Sequence, residues 1–80
     1  MSNVKDYISV NTEVLGGRPV FSGTRVPVES LFDHLEEGVS LEEFLDDFPT
    51  VSKEQAIGVL EIAAKLLNSG NIEKIYESIA

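Results

Sequence analysis

Gly16-Gly17-Arg18-Pro19-Val20-Phe21-Ser22-Gly23-Thr24-Arg25-Val26-Pro27-Val28 holds the strongest structural signals in this 80-residue chain. Short apolar pairs, Val20-Phe21 and Val26 with Val28, flank a Ser-Gly turn, with two prolines and two arginines beside them. Glycine tolerates the positive φ of a tight turn and proline presets φ. The segment therefore predicts a rigid β-hairpin that holds its cations in place. Upstream, Tyr7-Ile8-Ser9-Val10 has the β-branched and aromatic character of a short strand, broken by Asn11-Thr12. Residues 7–28 thus read as a β-element at the head of the chain.

Helical periodicity follows. Pro27 suits a helix entry, where a missing N–H costs nothing. Val28, Leu31, Phe32, Leu35 and Val39 then trace one buried stripe, which Gly38 ends in the left-handed conformation. Ser40-Leu41-Glu42-Glu43 has the pattern of a capping box; Leu41, Phe44, Leu45 and Phe48 form the apolar side of a short helix that Pro49 stops. Ser52-Lys53-Glu54-Gln55 repeats the box and opens the longest helix, expected to run to about Ser69 with Gly70 as its stop. Ile72, Ile75, Tyr76 and Ile79 give residues 71–80 an amphipathic helical pattern. The expectation is a single α+β domain over 1–80, mainly α: the β-element, a three-helix bundle at 28–69 and a short C-terminal helix. The pair at 41–61 has the length of a helix-turn-helix.

Composition sets bounds on function. The N-terminus lacks the apolar run of a signal peptide, and no stretch reaches the roughly 20 apolar residues of a membrane span, so a soluble cytoplasmic protein with no membrane partner is expected. With no cysteine, a disulfide or thiolate metal site is excluded. His34 has no second histidine to complete a metal site, and neither metal nor cofactor is expected. Carboxylates abound, yet no pattern gathers an acid–base pair or an activated nucleophile, so no enzyme is expected. The net charge of −8 is concentrated: residues 28–50 hold Glu29, Asp33, Glu36, Glu37, Glu42, Glu43, Asp46 and Asp47 with no lysine or arginine. That balance opposes non-specific binding to nucleic acid and favours a basic protein partner, although a plain solvated face is the blander reading.

The third helix is apolar around most of its circumference, with Gly58, Glu61, Lys65 and Asn68 as its narrow polar stripe. Such a helix needs cover on most sides. A homodimer supplies that cover with the least new surface; the tail or another protein are alternatives. Arg18 and Arg25 are the first candidates for contacts to DNA, since guanidinium meets phosphate or guanine bidentately. Arg25 has a competing structural role, pairing with the acids of the first helix. Thr24, beside it, satisfies its own turn through its hydroxyl. Lys53 and Gln55 would offer donors from the start of the third helix, where Glu54 and Glu61 oppose phosphate; the same helix pair also serves as ordinary packing.

The runs GGRPVFSGTRVPV, GVSLEEFLDDFP and VSKEQAIGVLEIAA resemble the family catalogued as domain of unknown function 433, over roughly Tyr7 to Ala64. Members of that family resemble the antitoxins of bacterial toxin–antitoxin pairs of the VapBC kind. The resemblance implies a winged or homeodomain-like helix-turn-helix encoded beside a PIN-like ribonuclease. The implied task is to bind and neutralise that toxin and to repress the shared promoter. In this reading Ile72, Ile75, Tyr76 and Ile79 dock in an apolar groove of the nuclease, while the acidic helices steer association. The alternatives are a stand-alone dimeric transcription regulator reading DNA through Arg18, Thr24, Arg25, Lys53 and Gln55, or a protein-interaction adaptor whose helix-turn-helix no longer meets DNA.

Overall fold

The computed structural model describes residues 4–68; the tail residues Ile72, Ile75, Tyr76 and Ile79 lie outside them. The order is α1 (Val4–Tyr7), β1 (Ile8–Ser9), β2 (Val20–Phe21), α2 (Val28–Glu36), α3 (Leu41–Asp47) and α4 (Lys53–Leu67), with a 3-10 turn at Leu15–Gly17 between the strands. The class is α+β and mainly helical, as expected.

The pairing of the β-element differs from the sequence expectation. Val20-Phe21 pairs antiparallel with Ile8-Ser9, in the register Ile8↔Phe21 and Ser9↔Val20. The Val26–Val28 arm contributes only an isolated bridge, Val20↔Pro27. The reason is donor supply: Pro19 has no N–H to offer Val28, and at the turn end the Val26 N–H is taken by Thr24 Oγ1, so no regular ladder runs along that side. What remains is the Phe21 N–H on the Val26 carbonyl and the Val28 N–H on the Pro19 carbonyl, both 3.0 Å. The Ser-Gly turn itself forms as expected. Thr24 N–H meets the Phe21 carbonyl at 3.0 Å, and Gly23 has φ +77°, the value a type II turn needs at its third residue.

The helix ends follow their signals closely. Val39 N–H reaches the His34 carbonyl and Gly38 N–H the Leu35 carbonyl, with Gly38 at φ +86°, which is a Schellman stop for α2. Ser52 Oγ accepts from Gln55 N–H, and Gln55 Oε1 accepts from Ser52 N–H, each at 3.0 Å, a complete capping box on α4. At α3 only half of the expected box forms: Ser40 Oγ accepts from Glu43 N–H at 3.1 Å, and Glu43 returns no bond.

Phe21, Leu31, Phe44, Val51, Ala56 and Val59 form the buried core, and Tyr7, Phe32, Leu35, Phe48 and Leu60 pack around it. Phe44 is the centre of an aromatic group, with ring centroids 6.1 Å from Phe21, 4.9 Å from Phe48 and 5.3 Å from His34. His34 stands edge-on to both phenylalanines, and its Nδ1–H donates to the Ser30 carbonyl at 2.6 Å. The imidazole is thus a packed, half-buried helix residue.

α1 was not foreseen; only a strand was expected around Tyr7. This single turn packs on α4, and the Tyr7 ring lies against Gly58 so closely that a Cβ there would sit 2.7 Å from three ring carbons. Gly58 is therefore the seat of a ring, and not part of a solvent-facing stripe. It leaves part of the apolar surface of α4 covered from within the chain, while Ile57, Leu66 and Leu67 are 38%, 54% and 56% exposed. Gly58→Ala should lower stability by about 1–3 kcal/mol through overpacking, although alanine is the better helix former by about 1 kcal/mol. In a Tyr7→Ala background the same change should stabilise. Urea unfolding of the four variants reads the reversal of sign.

Candidate functional site

Two surface regions collect the residues singled out from the sequence. The first is the junction between the Ser22-Gly23 turn and the start of α4. Gln55 builds it: besides capping α4 through Oε1, its Nε2 donates to the Ser22 carbonyl at 2.8 Å. Both ends of this amide are engaged inside the fold, so the donor expected to face DNA holds the turn to the helix instead. Thr24 is engaged likewise. Its Oγ1 donates to the Phe21 carbonyl at 2.8 Å and accepts from Val26 N–H at 3.0 Å, as its place in the turn implied.

Ser22 adds a third tie on the opposite side. Its N–H donates to the Tyr7 carbonyl and its Oγ to the Lys5 carbonyl, both at 2.9 Å. The turn is thus fastened to α1 and to α4 at once. Arg25, just after the turn, and Lys53, the first residue of α4, are both exposed. Arg25 forms no ion pair with a described residue. Its expected pairing with the acids of the first helix is made instead by Arg18, whose Nη1 stands 4.0 Å from Glu29 Oε2.

Arg18 belongs to the second region, an open groove of about 440 Å³. Pro19, Pro27, Val28 and Phe32 supply apolar lining, and Glu29, Asp33 and Glu36 stand with Arg18 around it. The groove exists because Val28 N–H, the first orphan donor of α2, is satisfied by the Pro19 carbonyl. That bond draws the two prolines together at the helix entry. Glu29, Phe32, Asp33 and Glu36 are spaced three and four apart, which places them on one helix face. This spacing was readable in the sequence, whereas the approach of Pro19 to Pro27 was not. Phe32, expected in the buried stripe, is half-buried and serves core and groove together.

The remaining acids form no cleft. Glu37, Glu42, Glu43, Asp46 and Asp47 are exposed, as are Glu29, Asp33 and Glu36. Among the described residues no three His, Asp or Glu side chains converge as metal ligands, and no buried side-chain polar atom lacks a hydrogen bond. No described helix is long and apolar enough to cross a membrane.

Gln55→Ala removes both bonds of the amide, so we expect a loss of about 1–3 kcal/mol. Gln55→Glu keeps the cap but sets an oxygen against the Ser22 carbonyl, and should also destabilise. The exposed Arg18–Glu29 pair is worth at most about 1 kcal/mol, so Arg18→Ala should shift stability far less than Gln55→Ala. Chemical denaturation of the three variants checks the order.

The chain belongs to the family described as "Protein of unknown function (DUF433)", which matches residues 8–63. A curated relative, uncharacterized protein y4eO of Sinorhizobium fredii, is 31% identical over 55 residues, 69% of this chain; the match spans only 25% of the relative's length. A crystal structure of a DUF433 member protein from Anabaena variabilis superposes over 95% of this chain and 70% of its own, with a TM-score of 0.67 at 24% sequence identity. That likeness is one of fold.

Proposed function

We propose that this DUF433 chain is a non-catalytic, antitoxin-like protein that binds and neutralises a PIN-like ribonuclease. The observation that carries the reading is the anionic face: all eight acids of residues 28–50 are exposed, with no lysine or arginine among them. A ribonuclease that holds RNA must present a basic surface, and an anionic protein face competes for it and accelerates encounter. The resemblance to VapBC antitoxins supplies the nuclease as the partner.

Ile72, Ile75, Tyr76 and Ile79 remain the proposed anchor, by their helical spacing in sequence alone. A homodimer, with the exposed Ile57 and Leu67 of α4 at its seam, is the proposed assembly. Cleavage of a labelled RNA by the co-purified nuclease tests the reading. The full chain should abolish cleavage, and a chain lacking residues 71–80 should restore it. Inhibition should weaken as salt rises towards physiological strength. Cleavage unaffected by excess full-length chain defeats the proposal.

One observation favours a second reading, in which α3 and α4 act as a winged or homeodomain-like helix-turn-helix on promoter DNA. Arg25 is exposed and unpaired among the described residues, and the Gln55–Ser22 bond ties its turn to the helix start that carries Lys53. In a gel shift on its own upstream DNA, the purified chain alone should then bind, and Arg25→Ala should lose at least about tenfold in affinity. Retention of DNA only in the presence of the nuclease favours the antitoxin; retention under neither condition leaves the adaptor.

A further inference from the structure

We propose that the groove between Pro19, Pro27 and the outer face of α2 is a docking site for an extended protein segment that pairs an arginine or lysine with an aliphatic anchor. This deepens the reading above, resting on its premise that the chain is a protein-binding module and not on the partner being a nuclease.

Two chemistries meet in the groove. Pro19, Pro27, Val28 and Phe32 form an apolar trench. Pro19 and Pro27 bring no N–H of their own, and the Val28 N–H is already spent on the Pro19 carbonyl. An aliphatic side chain laid there strands no donor from these three residues. The proline rings fix φ, so the wall is set before the partner arrives and little ordering cost is added on binding.

The rim is anionic. Glu29, Asp33 and Glu36 oppose one cation, Arg18, and that cation already stands beside Glu29. Asp33 and Glu36 are exposed and form no ion pair with a described residue. They would accept from a guanidinium or ammonium of the partner, and a guanidinium can lie over the Phe32 ring while doing so.

Charge decides among occupants. A nucleic acid would bring phosphate against three carboxylates. A second copy would bring a chain of net charge −8 against the same rim. The chain's own residues 71–80 carry Glu73 and Glu77 against Lys74 and are no better matched. A cationic segment with an aliphatic anchor satisfies rim and trench together.

Fluorescence anisotropy with a short fluorescein-labelled peptide of alternating arginine and leucine tests the site on the full chain. Wild type should bind it, and the glutamate–leucine counterpart should not bind. Asp33→Lys with Glu36→Lys should weaken binding at least about tenfold. Asp46→Lys with Asp47→Lys makes the same change of net charge at the far end of α3 and should cost less than about threefold. Thermal unfolding confirms that both double variants fold.

Equal losses in the two double variants would show charge acting without a groove, and binding of the glutamate peptide would show apolar stickiness; either overturns the proposal. A wild-type dimer that dissociates on Asp33→Lys with Glu36→Lys, with peptide binding unchanged, would assign the groove to self-association instead. Peptide binding at the groove by a chain that does not inhibit nuclease refutes the antitoxin reading and keeps the groove. Nuclease inhibition by a chain whose Asp33→Lys/Glu36→Lys form still binds peptide does the reverse.

Discussion

The contact of Phe21 with Phe44 joins two parts of the chain that could not persist apart. A pair of two-residue strands is far too short to hold itself together in water. Helix α3, with seven residues, is likewise below the length at which an isolated helix persists. Each becomes stable by burying a phenylalanine completely against the other, with Leu31 and Val59 closing the space around them. The aromatic group extends from there to Phe48 and His34, so α2 is held by ring contacts as well as by its aliphatic stripe. A core this small leaves little margin, which is why single backbone-side devices have large roles in this protein.

Gln55 is the clearest of those devices. A helix cap and a β-turn are separate problems, and one amide answers both by using its carbonyl for one and its amino group for the other. The Ser22 end is bound again from α1, through the Tyr7 and Lys5 carbonyls. Arg25 and Lys53 leave from a fixed frame, and a cation presented from a rigid frame loses less entropy on binding. The Gln55 amide, the Ser22 hydroxyl and the Thr24 hydroxyl between them each make hydrogen bonds that hold that frame.

The groove at α2 arises by the same economy. One hydrogen bond, from Val28 N–H to the Pro19 carbonyl, caps the helix and draws the prolines together. The wall so formed lies beside the most acidic segment of the sequence. An apolar trench with an anionic rim is the kind of surface a basic protein segment fits. The molecule therefore carries an anionic face along α2 and an exposed arginine just after the Ser22-Gly23 turn.

Much was legible in advance because it depends on neighbours in sequence. The Ser52–Gln55 box, the Gly38 stop, the Gly23 turn and the acidic run of residues 28–50 are local patterns, in which propensity, spacing and charge act within a few residues. The pairing of β2 with β1, the seat of Tyr7 on Gly58, the reach of Gln55 to Ser22 and the groove at Pro19 and Pro27 were decided only by tertiary structure. Each joins residues that are not neighbours along the chain, and two of them reverse a local inference: Gly58 reads as part of a polar stripe until a ring is placed on it, and a polar side chain at a helix start reads as available until its partner across the fold is known. Periodicity assigns a residue to a face. Which opposing surface that face meets is settled by close packing of the whole chain.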